Sequence, residues 1–266
     1  MSATVSGVPE LIEVETYRRV ADRTVGRAIR TVDARDDWYL KGGTTAAALR
    51  SAMTGRTVTG TRRVGKLLLL DTDGSTLGLR FGMTGRLLVD GGGPIERLEY
   101  SSARHEPAWI RFSLGFHTGG DLQMVDSRRL GGVTLDPGLA HLGPDALALR
   151  PAWLRDSLGA SRAPLKAWLL DQSRVAGIGN LLADEILWRA GIDPARPARS
   201  LDAGETKALH RHLLRTVRLL TKRGGSHTGD LQVARVRGAS CPKDGTPLQR
   251  RTIGGRTTYS CPSHQV

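Results

Sequence analysis

The sequence predicts an α+β chain of successive modules: an N-terminal antiparallel β-sandwich with flanking helices, a helical module, and a small C-terminal β-hairpin. Three observations carry this reading. Between residues 27 and 135, short segments rich in β-formers (RTVDARD, RTVTGTRRVGKLLLLDT, STLGLRFG, GRLLVDG, AWIRFSLG, DLQMVD) are parted by turn residues such as Asp-Gly and Gly-Gly. After DPGLAHLGPDAL the apolar spacing becomes helical, in LKAWLLDQ, NLLADEILWRAG and ETKALHRHLLRTVRLLTKRGG. From about residue 237 the chain is basic and turn-rich, and it holds both cysteines.

Each element has its own justification. Residues 9–24 read as a helix: Val14, Tyr17 and Val20 share a face, acidic residues in the first turn suit the dipole, and Pro9 is a normal first residue. In RVGKLLLL, Lys66 stands beside a glycine at the start of an apolar strand, where alone it reads as an edge lysine that discourages aggregation. In DQSRVAGIGNLLADEILWRAG a helix is expected to end near Val175, GIG to turn, and Asn180 to cap the next helix. Such a turn offers backbone N–H groups and a positive helix end to a phosphate, although an ordinary helical hairpin accounts for it equally well. Gly191 and Gly224 are expected helix stops. In the tail, Cys241-x2-Asp244 and Cys261-x2-His264 repeat a metal-finger spacing, and zinc accepts thiolate, imidazole and carboxylate. The plainer alternative is a hairpin without metal.

Composition narrows the partners. The 266 residues carry a net charge of +13 and a pI near 10.7, with 39% hydrophobic and 24% charged residues. Residues 211–266 hold eleven Lys/Arg against Asp230 and Asp244, a net +9 without any low-complexity basic run. A folded polyanion-binding surface follows from that excess. No apolar run approaches the roughly 20 residues that cross a bilayer, and MSATVSGV lacks the basic and apolar regions of a secretory signal. The two cysteines could form one disulfide, but a reduced cytosolic protein with a metal site fits them better.

Taken in order, PELIEVET, RRVGK, GMTGRLL, DSRRLG, LGPDAL, LLDQSRVAGIGNLLADEILWRAGIDPARPA and the C-terminal finger resemble the formamidopyrimidine-DNA glycosylase/endonuclease VIII family, on the formamidopyrimidine branch. The resemblance runs from Pro9 to the C-terminus. It implies a helix-two-turn-helix DNA-binding module and a zinc-finger-like hairpin, with structural zinc on Cys241, Asp244, Cys261 and His264 and no organic cofactor. It also implies roles by position. Pro9 would be the nucleophile that attacks C1′ and forms a Schiff base. Glu10 would transfer protons, with Glu13 and Glu185 as supporting carboxylates. Lys66 would assist lesion processing and touch phosphate. Met83, Arg128 and Leu130 would fill the hole left by the flipped base. His105, Lys166, Asn180 and Arg256 would contact phosphates.

The implied chemistry is coherent. Extruding a base costs a few kcal/mol of unstacking, which inserted side chains offset. An α-amino group with a pKa of about 7.7–8.0 is partly neutral near pH 7, unlike lysine at about 10.4. The iminium it forms is an electron sink for β-elimination.

Five features depart from the family pattern. Eight residues precede Pro9; Val8 could be read as a bacterial start codon, so residues 1–8 are expected to be a start-site extension. Ile12 replaces a usual proline. Leu130 stands where an aromatic wedge is usual. GGSHTGDLQ joins the last long helix to the finger without the longer loop that caps 8-oxoguanine, which favours ring-opened purines, oxidised pyrimidines or abasic sites as substrates. Asp244 and His264 replace two cysteines.

The expected domains are a leader (1–8), a catalytic β-sandwich (9–138), the helix-two-turn-helix domain (139–235) and the hairpin (236–266). The expected function is a bifunctional DNA glycosylase and abasic-site lyase of base excision repair, a bacterial, cytoplasmic, nucleoid-associated monomer acting on damaged double-stranded DNA. The alternative is a lesion-binding protein without catalysis, its Pro9 permanently acylated. A general architectural DNA-binding protein ranks last, because it leaves the acidic cluster Glu10, Glu13 and Glu15 without a purpose.

Overall fold

Four consecutive leucines, Leu67 to Leu70, are all buried, so the strand that carries them is covered on both faces. Leu68 and Leu70 enter a core shared with Phe112, Leu114, Phe116 and Met124 from a second sheet. The structure, a computed structural model, is described for residues 5–6, 9–95, 97–98 and 106–266. It separates into two compact units, Met1–Leu139 and Ala140–Val266.

The first unit runs β1 (Val5–Ser6), α1 (Leu11–Ala21), β2 (Ile29–Asp33), α2 (Ala46–Met53), β3 (Val58–Val64), β4 (Leu67–Thr72), β5 (Thr76–Arg80), β6 (Arg86–Val89), β7 (Arg97–Leu98), β8 (Ile110–Phe116), β9 (Asp121–Val125) and β10 (Gly132–Leu135). Strands in the order β10-β5-β4-β3 form one antiparallel sheet, and β2-β8-β9-β6 form the other. The expected sandwich is therefore present. Strand β1 pairs in parallel with β7. Pairing of Val64 with Leu67 leaves Gly65 and Lys66 as a two-residue turn, with Gly65 at φ 58° in the left-handed first position. Lys66 thus stands on a hairpin tip rather than inside a strand.

Helix α1 is shorter than the expected span of 9–24. Glu10 has extended backbone angles (φ −106°, ψ −170°) and caps the helix instead of continuing it. The Glu13 carboxylate accepts the Glu10 N–H at 2.9 Å, one half of a reciprocal capping box. At the far end Asp22–Thr24 tightens into a single 3₁₀ turn. Val14, Tyr17 and Ala21 are buried on the inner face, and each large apolar side chain so placed stabilises by roughly 1.5–3 kcal/mol. On the outer face Glu15 joins Arg18 and Arg19 to Arg63 of β3. Partial burial pushes the Glu15 carboxyl up, but Arg18 and Arg63 outweigh that and hold it below its usual range.

The second unit contains α3 (Pro151–Gly159), α4 (Leu165–Leu170), α5 (Asn180–Ala190), α6 (Ala203–Arg223), β11 (Gln249–Ile253) and β12 (Arg256–Ser260). Two expected boundaries are corrected. Helix α4 stops at Leu170, well before Val175, because the Asp171 side chain accepts the Ser173 N–H at 3.0 Å and closes a local turn. Gly179, not Asn180, occupies the cap of α5, and Asn180 is the first helical residue. Gly191 (φ 71°) and Gly224 (φ 102°) end α5 and α6 in left-handed conformations, as expected.

The hairpin β11–β12 turns through Gly254 and Gly255, and a Cβ on Gly254 would lie 2.9 Å from the Ala167 Cβ of α4. Only glycine permits that approach. Beside it, Lys166 is wholly enclosed: its Nζ lies 2.7 Å from Asp184 Oδ1 and donates to Thr257 O at 3.1 Å and Thr258 Oγ1 at 2.7 Å. Arg235 pairs with the other Asp184 oxygen. Burial pushes the Asp184 carboxyl above its usual range, and the two cations oppose that shift. Replacing Lys166 by Ala leaves Asp184 buried against Arg235 alone, and urea melts are expected to show a loss of about 3 kcal/mol.

Candidate active site

In the first unit the functional candidates gather on turns. Pro9 and Glu10 are buried immediately before α1, and Glu13 is equally enclosed. One turn of helix further on, Tyr17 packs against Phe81 with ring centroids 4.5 Å apart, and its O–H donates to Gly85 O at 3.4 Å. These contacts seat α1 on the GMTGRLL segment, where Met83 is half-buried. Burial, reinforced by the Glu13 charge, pushes the Tyr17 phenol well above its usual value, so it remains a neutral donor.

The DSRRLG segment is built around Asp126, which is fully buried. Its Oδ1 accepts the Arg128 N–H at 3.1 Å and the Thr84 hydroxyl, and its Oδ2 accepts the Gly131 N–H at 2.8 Å. Between those two amides Arg128 and Arg129 are exposed and Leu130 is 44% exposed. Arg129 adopts φ 58°, unusual for a residue with a side chain, and its guanidinium binds Asp36 bidentately, with Nε–Oδ2 at 2.7 Å. Partial burial raises the Asp36 carboxyl, but the Arg129 bond and the nearby Arg111 hold it below its usual range. His105 lies outside the described residues.

In the second unit the turn before α5 is braced by Gln172. Its Oε1 accepts the Gly177 N–H at 3.0 Å, while its Nε2 donates to Leu170 O and Ile178 O. The first turn of α5 contains no acidic residue, so no carboxylate there offsets the positive end of the helix dipole, and Asn180 stands at its head. Arg256 is exposed at the tip of the hairpin.

Two carboxylate and lysine expectations look different in three dimensions. Lys166 was expected at a phosphate, but its side chain has no exposed surface and is engaged with Asp184 and the strand that bears Arg256. An anion could not reach it without opening that interior, so Lys166 supports the hairpin instead. Glu185 is buried and holds the segment that follows α6: it accepts the Asp230 N–H at 3.0 Å and the Leu231 N–H at 2.9 Å, and pairs with Arg189 at 2.7 Å.

Cys241, Asp244, Cys261 and His264 converge, their donor atoms all within 4.8 Å of one another. His264 Nδ1 lies 3.7 Å from Cys241 Sγ and 2.9 Å from Asp244 Oδ2, and Cys261 Sγ lies 3.3 Å from that same oxygen. Ligands about 2.0–2.3 Å from a tetrahedral zinc stand roughly 3.3–3.8 Å apart, so the set could hold that ion once the 2.9 Å contact between His264 and Asp244 opens slightly. The outer contacts fit as well. His264 Nε2 lies 3.1 Å from Trp188 O, which leaves Nδ1 free to ligate, and the Trp188 indole donates to Cys241 Sγ at 3.2 Å. A Thr246 N–H bond and the adjacent His264 hold the Asp244 carboxyl well below its usual range.

Sequence reasoning missed Thr84, Asp126, Asp36 and Gln172. Thr84, Asp126 and Gln172 sit inside GMTGRLL, DSRRLG and LLDQSRVAGIGN, where their role is to hold the backbone rather than to face a ligand.

Comparison with known proteins agrees with this geometry. Residues 8–133 match the formamidopyrimidine-DNA glycosylase N-terminal domain, and residues 142–231 match the H2TH domain of the same enzyme. The formamidopyrimidine-DNA glycosylase of Symbiobacterium thermophilum is 36% identical over 97% of this chain and 89% of its own length. That of Geobacillus kaustophilus is 35% identical over 97% of this chain and 100% of its own. Among solved structures, the Lactococcus lactis Fpg in complex with abasic-site DNA superposes with a TM-score of 0.80 at 26% identity, covering 96% of this chain and 99% of that one. The same protein with Fapy-dG DNA gives 0.80 at 27% identity over 96% and 99%. With both domain models matched and this degree of identity across nearly the whole chain, the protein belongs to the formamidopyrimidine-DNA glycosylase family.

Proposed function

We infer that this protein is a DNA glycosylase that also cleaves abasic sites, acting on damaged double-stranded DNA. The observation that carries the reading is the Pro9–Glu10 pair: a prolyl nitrogen set directly before a fully buried carboxylate that caps α1. As a free secondary amine, Pro9 attacks C1′ of the damaged nucleotide, and the base departs with the glycosidic bond electrons. Glu10 shuttles protons between the sugar, the amine and the leaving base. The resulting iminium acidifies the C2′ proton, whose removal expels the 3′ phosphate and breaks the strand. Lys66, on its hairpin tip, contacts the phosphate next to the lesion. Met83, Arg128 and Leu130 fill the vacated stack, and Asn180 and Arg256 grip the backbone. His105 belongs with them by its motif.

Relatives of the same family in complex with abasic-site and Fapy-dG DNA support the substrate class. Zinc, held by Cys241, Asp244, Cys261 and His264, supplies a structural crosslink at the base of the hairpin rather than any chemistry. A second reading, lesion binding without cleavage, applies to any form of the chain in which Pro9 remains acylated, because an amide nitrogen has no lone pair to give.

Three outcomes are expected. A chain beginning at Pro9, mixed with abasic, formamidopyrimidine or oxidised-pyrimidine duplex and borohydride, forms a covalent adduct seen on denaturing gels; no adduct on any of these substrates overturns the enzymatic reading. Glu10→Gln lowers base excision by about 10²–10⁴-fold while sparing much of the cleavage of a ready-made abasic site, measured by single-turnover kinetics. Elemental analysis finds one zinc per chain, and Cys261→Ser loses the metal and lowers the melting temperature.

A further inference from the structure

We propose that Asp126 is a positioning residue that locks the two void-filling turns, Met83–Thr84 and Arg128–Leu130, into one rigid wedge. The inference rests on the glycosylase reading for the purpose of the wedge, and on the geometry alone for its construction. Two carboxylate oxygens receive three donors. The N–H groups of Arg128 and Gly131 fix both ends of the exposed turn, and the Thr84 hydroxyl arrives from a turn 42 residues away in sequence. The main chain of Asp126 is held as firmly: its N–H donates to Trp109 O at 2.9 Å, and its carbonyl accepts Arg111 Nε at 2.7 Å. Arg111 in turn lies 3.8 Å from Asp36, which grips Arg129.

Two features show that this arrangement is enforced rather than incidental. Arg129 holds φ 58°, a conformation that persists when surrounding bonds over-determine it, and Asp36 and Asp126 supply those bonds. Gly82, at φ 57°, lies so close to Leu130 that a Cβ there would stand 2.4 Å from the Leu130 carbonyl carbon. The two turns therefore touch backbone to backbone and share one buried acid, leaving Arg128, Leu130 and Met83 on a common support.

An aliphatic wedge gains nothing from ring stacking, so its placement has to come from the support. Asp126→Asn keeps the shape but replaces one acceptor oxygen by an NH2 donor, which in either orientation opposes a backbone N–H, that of Arg128 or that of Gly131. The test uses a duplex with a non-hydrolysable abasic analogue opposite 2-aminopurine, whose fluorescence reports unstacking. At saturating wild-type protein the fluorescence changes, and Asp126→Asn loses most of that change. Excision from a damaged duplex by the same variant falls about 10- to 100-fold in kcat, while cleavage of an abasic site in single-stranded DNA, which has no stack to fill, is unchanged. Should Asp126→Asn fail to fold, Thr84→Val removes one of the three bonds and shows a smaller loss in the same direction.

The proposal is overturned if the wild type gives no fluorescence change, if the folded variants keep both the signal and duplex turnover, or if single-strand cleavage falls in step with duplex excision. Because the analogue has no base to release, the signal is independent of catalysis. A wild type that never forms the borohydride adduct, with the signal still lost in Asp126→Asn, removes the enzymatic reading and leaves the wedge intact.

Discussion

The amides that Asp126 accepts from Arg128 and Gly131 set the terms for the first unit, because they let a short turn project into solvent without fraying. A surface turn has few contacts of its own, and loops drawn from the surface sit at the low-stability end of a protein. Supporting it from beneath with a desolvated acid gives the turn interior stiffness and an exterior face. The same device recurs. Glu185 accepts two successive amides after α6, Glu13 receives the amide of Glu10, and Asp184 receives the Lys166 ammonium and Arg235.

This use of acids makes sense of the composition. For a protein with 39 Lys/Arg and 26 Asp/Glu whose proposed ligand is a polyanion, carboxylates on the binding face gain nothing. Among the described residues Glu10, Glu13, Asp126, Asp184 and Glu185 are turned inward, where they serve as hydrogen-bond acceptors for groups that would otherwise be unsatisfied. The outward field stays positive, while the interior acquires fixed, charge-assisted contacts at the places where chemistry or recognition is needed. The acidic cluster at α1 shows the division: Glu10 and Glu13 close on each other at the helix start, and Glu15 is neutralised by three arginines.

Much of the fold was legible because the deciding interactions are local. Segments rich in β-formers between turn residues gave the two sheets, helical spacing gave the second unit, and Gly191 and Gly224 marked helix ends through conformations that other residues resist. The finger was legible because four ligands at fixed spacing need only one hairpin to meet. The misses have a common cause in distance along the chain or in competition at boundaries. The cap of α5 falls on Gly179, one place before the expected Asn180, and Glu10 caps α1 from inside the span expected to be helical, since sequence preferences do not separate a cap from the first helical residue. Asp171 ended α4 through its own side chain. Lys166 resembles a surface cation in one dimension, and only Asp184, Thr257 and Thr258 reveal it as an interior one. Thr84 and Asp126 meet across 42 residues, a separation that no periodicity encodes.

The C-terminal ribbon is fastened twice. At one end its cysteines nestle under Trp188, and at the other Gly254 rests on Ala167 while the Lys166 ammonium clasps Thr257 and Thr258. Oxidants act on thiols, so they reach only the first fastening. The guanidinium of Arg256, carried on the second, is thereby insulated from the redox state of Cys241 and Cys261.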